Sequence, residues 1–188
     1  MTIGVLALQG DFEKHLETLS RLGVVGRKVK VPCDLIGCTA LIIPGGESTT
    51  IFRQIAFINL REPLLEFAKK HAIFGTCAGL ILMSKNIVDS PTQPFGILDI
   101  SIQRNAFGSQ VDSFIAPIRV NIDPPTICDG FFIRAPKIVA VEPSVQVLAT
   151  LDNEPVFVRQ GRHLGACFHP ELTSDPAIHN YFISMSGQ

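Results

Sequence analysis

The sequence predicts an α/β fold in which helices cover both faces of a mostly parallel sheet. Short β-rich runs alternate with helical segments through the first half of the chain. Residues 3–8 form an apolar run, and residues 11–22 then carry apolar side chains at helical intervals from Phe12 to Leu22. Such alternation is typical of parallel strands joined by right-handed helical crossovers. Binding sites in such sheets lie beyond the carboxyl ends of the strands.

The remaining elements of the first half follow the same alternation. Further strands are predicted at 29–31, 40–43 and 73–76, with helical segments at about 48–60 and 63–71. The second half is richer in strands, which we expect to be mixed or antiparallel and to complete the sheet. These runs are 98–104, 113–120, 131–133, 145–150, 156–160 and 163–168, followed by a last helix at about 175–185. Without a repeat or a long linker, residues 1–188 fit a single domain.

The composition disfavours several classes of partner and location. The 16 basic and 17 acidic side chains leave a formal net charge of −1, so nothing electrostatic favours a nucleic acid or an anionic membrane. The N-terminus lacks the basic leader of a signal peptide, and no apolar run approaches the roughly 20 residues that cross a bilayer. Five cysteines without a small-scaffold spacing predict reduced thiols and a cytoplasmic location.

Cys77 is the candidate nucleophile. It stands where the β-run 73–76 meets a helical run, with Gly75 and Gly79 two residues to either side. This is the nucleophile-elbow pattern, a sharp turn from strand to helix, with sulfur in place of oxygen. A helix that starts at Ala78 would place its positive end beside the sulfur and favour the thiolate. The alternative is a small buried cysteine in a glycine-containing turn.

A base for this thiol is present in the C-terminal run 163–171. His169 and Glu171 are two residues apart, and such positions point to the same side of an extended chain. Glu171 can therefore orient the ring of His169 and stabilise its protonated form, while Pro170 restricts the backbone between them. A structural histidine at a strand end is the alternative, but an elbow cysteine upstream favours the catalytic interpretation.

The run 41–50 indicates a site for an oxyanion. A buried strand ends there in a Pro-Gly-Gly turn, followed by a helix that Ser48 is expected to cap. Backbone N–H groups at such a turn suit the negative charge of a tetrahedral intermediate, and the N–H groups of Gly46 and Ala78 are the candidate donors. A plain turn is the alternative, because Pro-Gly-Gly is common.

In this order, the Pro-Gly-Gly turn, Gly-Thr-Cys-Ala-Gly and His-Pro-Glu resemble the class I, or triad, glutamine amidotransferases. Further blocks extend from the first strand almost to the last helix and are similar to those of the glutaminase subunits of pyridoxal 5′-phosphate synthases. These blocks are 6–12, 45–50, 104–108, 112–114, 132–136 and 168–172. The stretches 24–40 and 121–130 depart most from that pattern.

The resemblance implies a three-layer, flavodoxin-like α/β sandwich and a catalytic triad of Cys77, His169 and Glu171. It also implies a pocket for L-glutamine, in which an arginine holds the substrate carboxylate and Glu47 engages the ammonium group. The pocket residues are Gly46, Glu47, Ser48, Arg104, Ile133 and Arg134. No metal or organic cofactor is implied. The implied partner is a (β/α)8 synthase subunit, on which the chain docks in a ring-shaped hetero-oligomer.

Two other functions stay open at this point. A cysteine peptidase or another thiol hydrolase could use the same elbow and histidine on a similar sheet, and substrate choice separates it from a glutaminase. A catalytically silent binding subunit would associate with a synthase without turnover, although Cys77, His169 and Glu171 argue against it.

The other cysteines and histidines lack support for a role in chemistry. Cys33 and Cys38 could form half of a metal site, but no second pair follows, so packing is the preferred interpretation, as it is for Cys128 and Cys167. Four histidines are expected to be surface or packing residues, namely His15, His71, His163 and His179.

Overall fold

A computed structural model describes residues 1–104 and 113–187, and it confirms the α/β fold. The strands in these residues are β1 (Thr2–Leu6), β2 (Val25–Val29), β3 (Ala40–Ile43), β4 (Ala72–Thr76), β5 (Ser84–Ile87), β6 (Leu98–Gln103), β7 (Phe114–Val120), β8 (Thr126–Phe132), β9 (Lys137–Val141), β10 (Gln146–Leu151), β11 (Glu154–Gln160) and β12 (His163–Ala166). The helices are α1 (Phe12–Arg21), α2 (Ser48–Phe57), α3 (Arg61–Lys70), α4 (Ala78–Met83) and α5 (Ala177–Ser186), with 3₁₀ turns at Pro32–Leu35 and Pro170–Leu172. In the described part of the chain, no helix has both the length and the apolar character that crossing a bilayer requires.

The main sheet has seven strands in the order β10-β11-β12-β4-β3-β1-β2. The five strands from β12 to β2 are parallel, whereas β10 and β11 are antiparallel to their neighbours. This is the predicted mostly parallel sheet with added antiparallel strands. β12 pairs with β4, with Ala166 opposite Thr76, so the segments that follow these two strands emerge at the same edge of the sheet.

The alternation of side chains along β4 shows how the helices are layered. Phe74 packs against Phe182 of α5, with ring centroids 5.5 Å apart. On the next residue, Gly75, an added Cβ would lie 2.6 Å from the sulfur of Met83 in α4. Because successive side chains of a strand face opposite sides, α5 and α4 cover opposite faces. α1 lies on the α5 side, where two buried histidines of these helices are hydrogen-bonded to each other.

The prediction that all strands of the second half complete one sheet was wrong. Only β10, β11 and β12 join the main sheet; β5, β6 and β9 form a separate three-stranded sheet, and β7 pairs with β8 alone. β5 and β9 were missed as strands, and the strand expected at 29–31 is Val25–Val29. Short β-rich runs indicate that strands exist, but the hydrogen bonds that assign them to a sheet depend on residues far apart in sequence.

Candidate active site

Cys77 lies at the carboxyl end of β4, where the strand turns directly into α4. Its backbone has φ 49° and ψ −105°, a conformation that is strained for a residue other than glycine and is typical of functional sites. The Cys77 N–H donates to the carbonyl oxygen of Ala166, 2.8 Å away. A Cβ added to Gly79 would lie only 1.9 Å from the carbonyl oxygen of Ile43. Glycine after Cys77 therefore allows α4 to pack against β3, as the elbow pattern predicted.

His169 and Glu171 are in direct contact. His169 Nδ1 lies 2.7 Å from Glu171 Oε1, and the two side chains are 7% and 0% exposed. Because an ionised carboxylate only accepts hydrogen bonds, Nδ1 carries a proton and the ring presents Nε2 on its other side. The prediction that the chain is extended between His169 and Glu171 was wrong. β12 ends at Ala166, and a 3₁₀ turn begins at Pro170.

The thiol of Cys77 and the imidazole of His169 meet beside Gly45. A Cβ added to Gly45 would lie 2.3 Å from His169 Cε1 and 3.3 Å from Cys77 Cβ. Burial lowers the pKa of His169, but hydrogen bonds to Cys77 and Glu171 outweigh it and raise that pKa well above its usual range. The imidazolium form is therefore stabilised from both sides of the ring.

Glu171 is suited to stay ionised although it is buried. Burial raises the pKa of its carboxyl group, whereas the facing His15 and His169 lower it, and the net effect is a lowered pKa. A charged carboxylate behind His169 supports the protonated ring. The structure thus brings together the three residues that the sequence nominated for the triad.

The two candidate oxyanion donors flank the same sulfur. Gly46 adopts φ +153° and lines the cavity that contains Cys77. Ala78 is the first residue of α4, so its N–H has no partner within the helix. The Gly45–Gly46 turn is tied to the loop after β1, because the N–H of Glu47 donates to Gln9 Oε1, 3.0 Å away.

A cavity of about 400 Å³ opens over the thiol. Its lining includes Cys77 and His169 together with all six residues predicted for the substrate, namely Gly46, Glu47, Ser48, Arg104, Ile133 and Arg134. Gly10, Asp11, Gly45, Thr49 and Ile81 also line it and were not nominated. Four of these five lie inside the blocks 6–12 and 45–50, so the motifs contained a signal that could have found them.

Arg104 is held at the rim of this cavity. Its Nη1 donates to Thr49 Oγ1 at 3.2 Å, and its Nε lies 3.9 Å from Asp89 Oδ1. The side chain is 25% exposed, so part of the guanidinium remains available to a ligand. Residues 105–108 and 112 of the motif blocks lie outside the described residues.

The helix cap beside the cavity is Glu47 and not Ser48, which corrects the prediction. Ser48 is the first residue of α2, and the carboxylate of Glu47 accepts hydrogen bonds from the N–H groups of Thr49 and Thr50 at 3.0 and 2.7 Å. The hydroxyl and N–H of Thr50 and the N–H of Thr49 outweigh partial burial and lower the pKa of Glu47 to about 2. Glu47 therefore places a fixed negative charge on the cavity wall.

Sequence reasoning missed the contacts of two histidines. His15 and His179 are fully buried, as a packing role requires, but His15 Nδ1 lies 2.9 Å from His179 Nε2 and His15 Nε2 lies 3.3 Å from Glu171 Oε2. His15 stands at helical spacing between Phe12 and Leu19, which was a signal for burial. A second correction concerns Cys33, which is exposed and does not pack in the core.

Comparison with known proteins adds a family to this geometry. The model of the SNO glutamine amidotransferase family matches residues 5–188. A protein of Deinococcus radiodurans named pyridoxal 5′-phosphate synthase subunit PdxT is 47% identical over 100% of this chain and 98% of its own length. A protein of the same name from Thermus thermophilus is 47% identical over 98% of this chain and 97% of its own length.

Solved structures agree with these relatives. A crystal structure described as a glutamine amidotransferase has a TM-score of 0.93 and 45% identity, and it covers 99% of both chains. A chain of PurLQS from Thermotoga maritima has a TM-score of 0.73 over 100% of this chain and 95% of its own, with 16% identity. At that identity the second likeness shows a shared fold alone.

Proposed function

Because the chain belongs to the SNO glutamine amidotransferase family, we propose that it hydrolyses L-glutamine and delivers the ammonia to the synthase partner of a pyridoxal 5′-phosphate synthase. The observation that carries this proposal is the row of Cys77, His169 and Glu171, of which the first two line a cavity of about 400 Å³. That volume suits a small-molecule ligand. The names of the relatives at 47% identity support the choice of acceptor.

The first half of the reaction forms a thioester. The Cys77 proton passes to His169, and the thiolate attacks the side-chain amide carbon of glutamine. Negative charge then develops on the former amide oxygen, where the N–H groups of Gly46 and Ala78 are proposed to donate to it. His169 returns the proton to the departing nitrogen, so that ammonia leaves and a γ-glutamyl thioester of Cys77 remains.

The second half regenerates the thiol. Water that gives a proton to His169 attacks the thioester carbonyl, a second oxyanion forms at the same donors, and glutamate leaves as the proton returns to the sulfur. Both halves use one base and one nucleophile. The mechanism requires no metal or organic cofactor.

Charges on the cavity wall match the two ends of free glutamine. Arg104 and Arg134 are candidates to bind the α-carboxylate, because a guanidinium can donate two parallel hydrogen bonds to it. Glu47 is the candidate for the α-ammonium group, and its lowered pKa supports a permanent negative charge. Ser48 and Ile133 complete the wall. A peptide substrate lacks this pair of free charges, which favours glutamine over the substrates of a peptidase.

The proposed partner is a (β/α)8 synthase subunit within a ring-shaped hetero-oligomer. Ammonia released into water is protonated and dispersed, which gives a reason to couple its release to an acceptor. Gln9 and α1 lie beside the cavity, and the hydrogen bond from Glu47 N–H to Gln9 Oε1 links them to the Gly45–Gly46 turn. We propose that docking on this side organises the oxyanion donors. The thiol nucleophile fits a reducing compartment, and we propose the cytoplasm as its location.

Glutamate release from free glutamine tests this function. We expect turnover by the wild-type chain, a higher rate when the cognate synthase subunit is added, and loss of turnover in Cys77→Ser with the fold retained. Cys33→Ser is the matched control, because Cys33 is exposed and lies outside the cavity. Normal turnover by purified Cys77→Ser would refute the nucleophile.

The same assay separates the rival functions. Hydrolysis of peptides or esters in preference to glutamine would indicate a thiol hydrolase. Stoichiometric binding to the synthase without any glutamate release would indicate a silent subunit. A glutaminase rate that does not change on adding the synthase would contradict the proposed effect of docking.

A further inference from the structure

A second histidine lies behind the carboxylate of the proposed triad. His15 of α1 is fully buried, with its Nε2 3.3 Å from Glu171 Oε2 and 3.4 Å from Thr76 Oγ1. The other carboxylate oxygen, Oε1, is 2.7 Å from His169 Nδ1. The two oxygens of Glu171 therefore face two different imidazole rings.

His179 of α5 determines which nitrogen of His15 carries the proton. His179 Nε2 lies 2.9 Å from His15 Nδ1, so one of the two donates and the other accepts. If His15 donated from Nδ1, its Nε2 could accept a hydrogen bond from the Thr76 hydroxyl at 3.4 Å, but the same lone pair would lie 3.3 Å from the carboxylate oxygen and repel it. His179 Nδ1 has no hydrogen-bond partner in residues 1–104 and 113–187; in this arrangement it would carry a buried N–H, whereas in the other it carries only a lone pair. The favoured arrangement has His179 donating to His15 and His15 Nε2–H facing Glu171.

The Nε2–H of His15 matters because the carboxylate that it faces, that of Glu171, is buried. The side chain of Glu171 is inaccessible to solvent, and within the described residues Oε2 accepts no well-aligned hydrogen bond. A buried carboxylate oxygen without a facing donor favours protonation of the group. The N–H dipole of His15 at 3.3 Å opposes that tendency and also restrains rotation of the carboxylate.

We propose that His15 is a positioning residue that keeps the carboxylate of Glu171 ionised and oriented toward His169. The proposal rests on the glutaminase function proposed above. His15 does not line the cavity over Cys77, so it acts through Glu171 and not on the substrate. The row of side chains then runs from Cys77 through His169, Glu171 and His15 to His179.

Burial favours a neutral His15 ring. The charged and titratable groups around it are Asp11 at the start of α1, Glu171 and His169 after β12, and His179 on α5. Burial lowers the pKa of His15 and outweighs the attraction of Glu171 and Asp11. Burial likewise lowers the pKa of His179 to about 3. His15 therefore faces Glu171 as a neutral ring, through the dipole of its Nε2–H, and not as a counter-charge.

Three variants of the full chain, assayed with its synthase partner, test the role. His15→Phe removes the N–H that faces Glu171, and His15→Gln keeps an amide N–H near the position of Nε2. His163→Asn is the control, because His163 is a partly buried histidine that contacts the N–H of Ile73 and lies outside the cavity.

We expect His15→Phe to lower kcat roughly 10- to 100-fold, with KM for glutamine changed less than about twofold. In a plot of kcat against pH, the acidic limb of His15→Phe should move to higher pH by about one unit, because Glu171 without a facing donor ionises at higher pH. His15→Gln should restore most of the wild-type kcat and pH profile, and His163→Asn should change neither.

A second readout does not depend on turnover. The rate at which iodoacetamide alkylates Cys77, followed against pH, reports formation of the thiolate and imidazolium pair. We expect slower alkylation of His15→Phe near neutral pH, since a less ionised Glu171 supports the imidazolium less. A wild-type chain that does not hydrolyse glutamine would refute the glutaminase function, while the alkylation comparison would still test His15.

Unchanged kcat, pH profile and alkylation in folded His15→Phe would overturn the proposal. If His15→Phe does not fold, His15→Asn takes its place. Its amide reaches the position of Nδ1 and hence His179, but not Glu171. Equal kcat in His15→Asn and His15→Gln would then overturn the role assigned to Nε2–H, and a selective loss in His15→Asn would support it.

Discussion

Gly45 lies so close to His169 that a Cβ added to its backbone would stand 2.3 Å from Cε1 of the imidazole. The same atom would stand 3.3 Å from Cys77 Cβ. The Pro-Gly-Gly turn therefore contacts both the proposed nucleophile and the proposed base. Absence of a side chain at Gly45 is part of what lets the thiol and the ring face each other.

Gly45→Ala is expected to lower kcat by roughly 100-fold, because a methyl group displaces the ring and a shift of about 1 Å at a reacting group has an effect of that size. Glutamate release measures it. Gly161→Ala is the control: Gly161 has φ +56° with no atom within 4 Å of the added Cβ, so it should lose about 1 kcal/mol of stability and keep its kcat. Wild-type kcat in Gly45→Ala would contradict the position of the ring.

Arg104→Lys should raise KM for glutamine by roughly tenfold and leave kcat nearly unchanged, because an ammonium group cannot offer the paired donors of a guanidinium to a carboxylate. Steady-state kinetics over a range of glutamine concentrations measures both constants. Arg53→Lys, an exposed position on α2, is the matched control. An unchanged KM in Arg104→Lys would mean that another group, such as Arg134, holds the substrate carboxylate.

Glu47 caps α2 and is proposed to bind the ammonium group of glutamine, and substitutions can separate these two roles. Glu47→Ala should destabilise the protein by about 1 kcal/mol through loss of the α2 cap and should also raise KM for glutamine. Glu47→Gln keeps an acceptor for the cap but loses the charge, so it should recover part of the stability and little of the KM. Because the pKa of Glu47 is lowered to about 2 from 4.5, the contribution of its charge is present above pH 4.5 and is lost as pH falls toward 2. Thermal unfolding at pH 7 and pH 3 checks this sign.

His163 should make the protein less stable in acid. Burial lowers the pKa of His163 to about 4 from 6.5, so the unfolded chain binds a proton that the folded chain does not, and stability falls as pH falls through this window. The loss is at most about 3 kcal/mol between pH 6.5 and pH 4. His163→Asn, which keeps an acceptor for the N–H of Ile73, should flatten this dependence in urea unfolding at several pH values. An equally steep dependence in the variant would assign the effect to His15 and His179.

The parts of the site that sequence could predict are short motifs at the ends of strands. Gly75, Cys77 and Gly79 are contiguous with β4, and His169 and Glu171 follow β12 within one turn, so their residue types and spacing carry the information. The first four strands and the parallel sheet were predictable for a related reason: hydrophobic runs and helical intervals are local patterns.

The parts that sequence could not predict depend on contacts between distant segments. The pairing of β12 with β4 brings residue 169 to residue 77, and no local pattern specifies it. The contact of His15 with Glu171 requires α1 and the 3₁₀ turn at Pro170–Leu172 to pack together. The separate sheets formed by β5 to β9 were misassigned because alternation shows that a strand has one buried face but not which neighbour it joins.

Because the second half of the chain forms separate sheets, the residues proposed for catalysis and part of those proposed for substrate binding follow different sheets. Cys77 and His169 follow strands of the main sheet, whereas Arg104 and the pair Ile133 and Arg134 lie on segments next to β6 and β8, outside it. Glu47 and Ser48 follow β3 of the main sheet, so only the proposed arginine contacts and Ile133 lie on the peripheral segments. Substitutions in those segments could change the proposed binding of the substrate carboxylate while the thiol and imidazole keep their alignment on the main sheet.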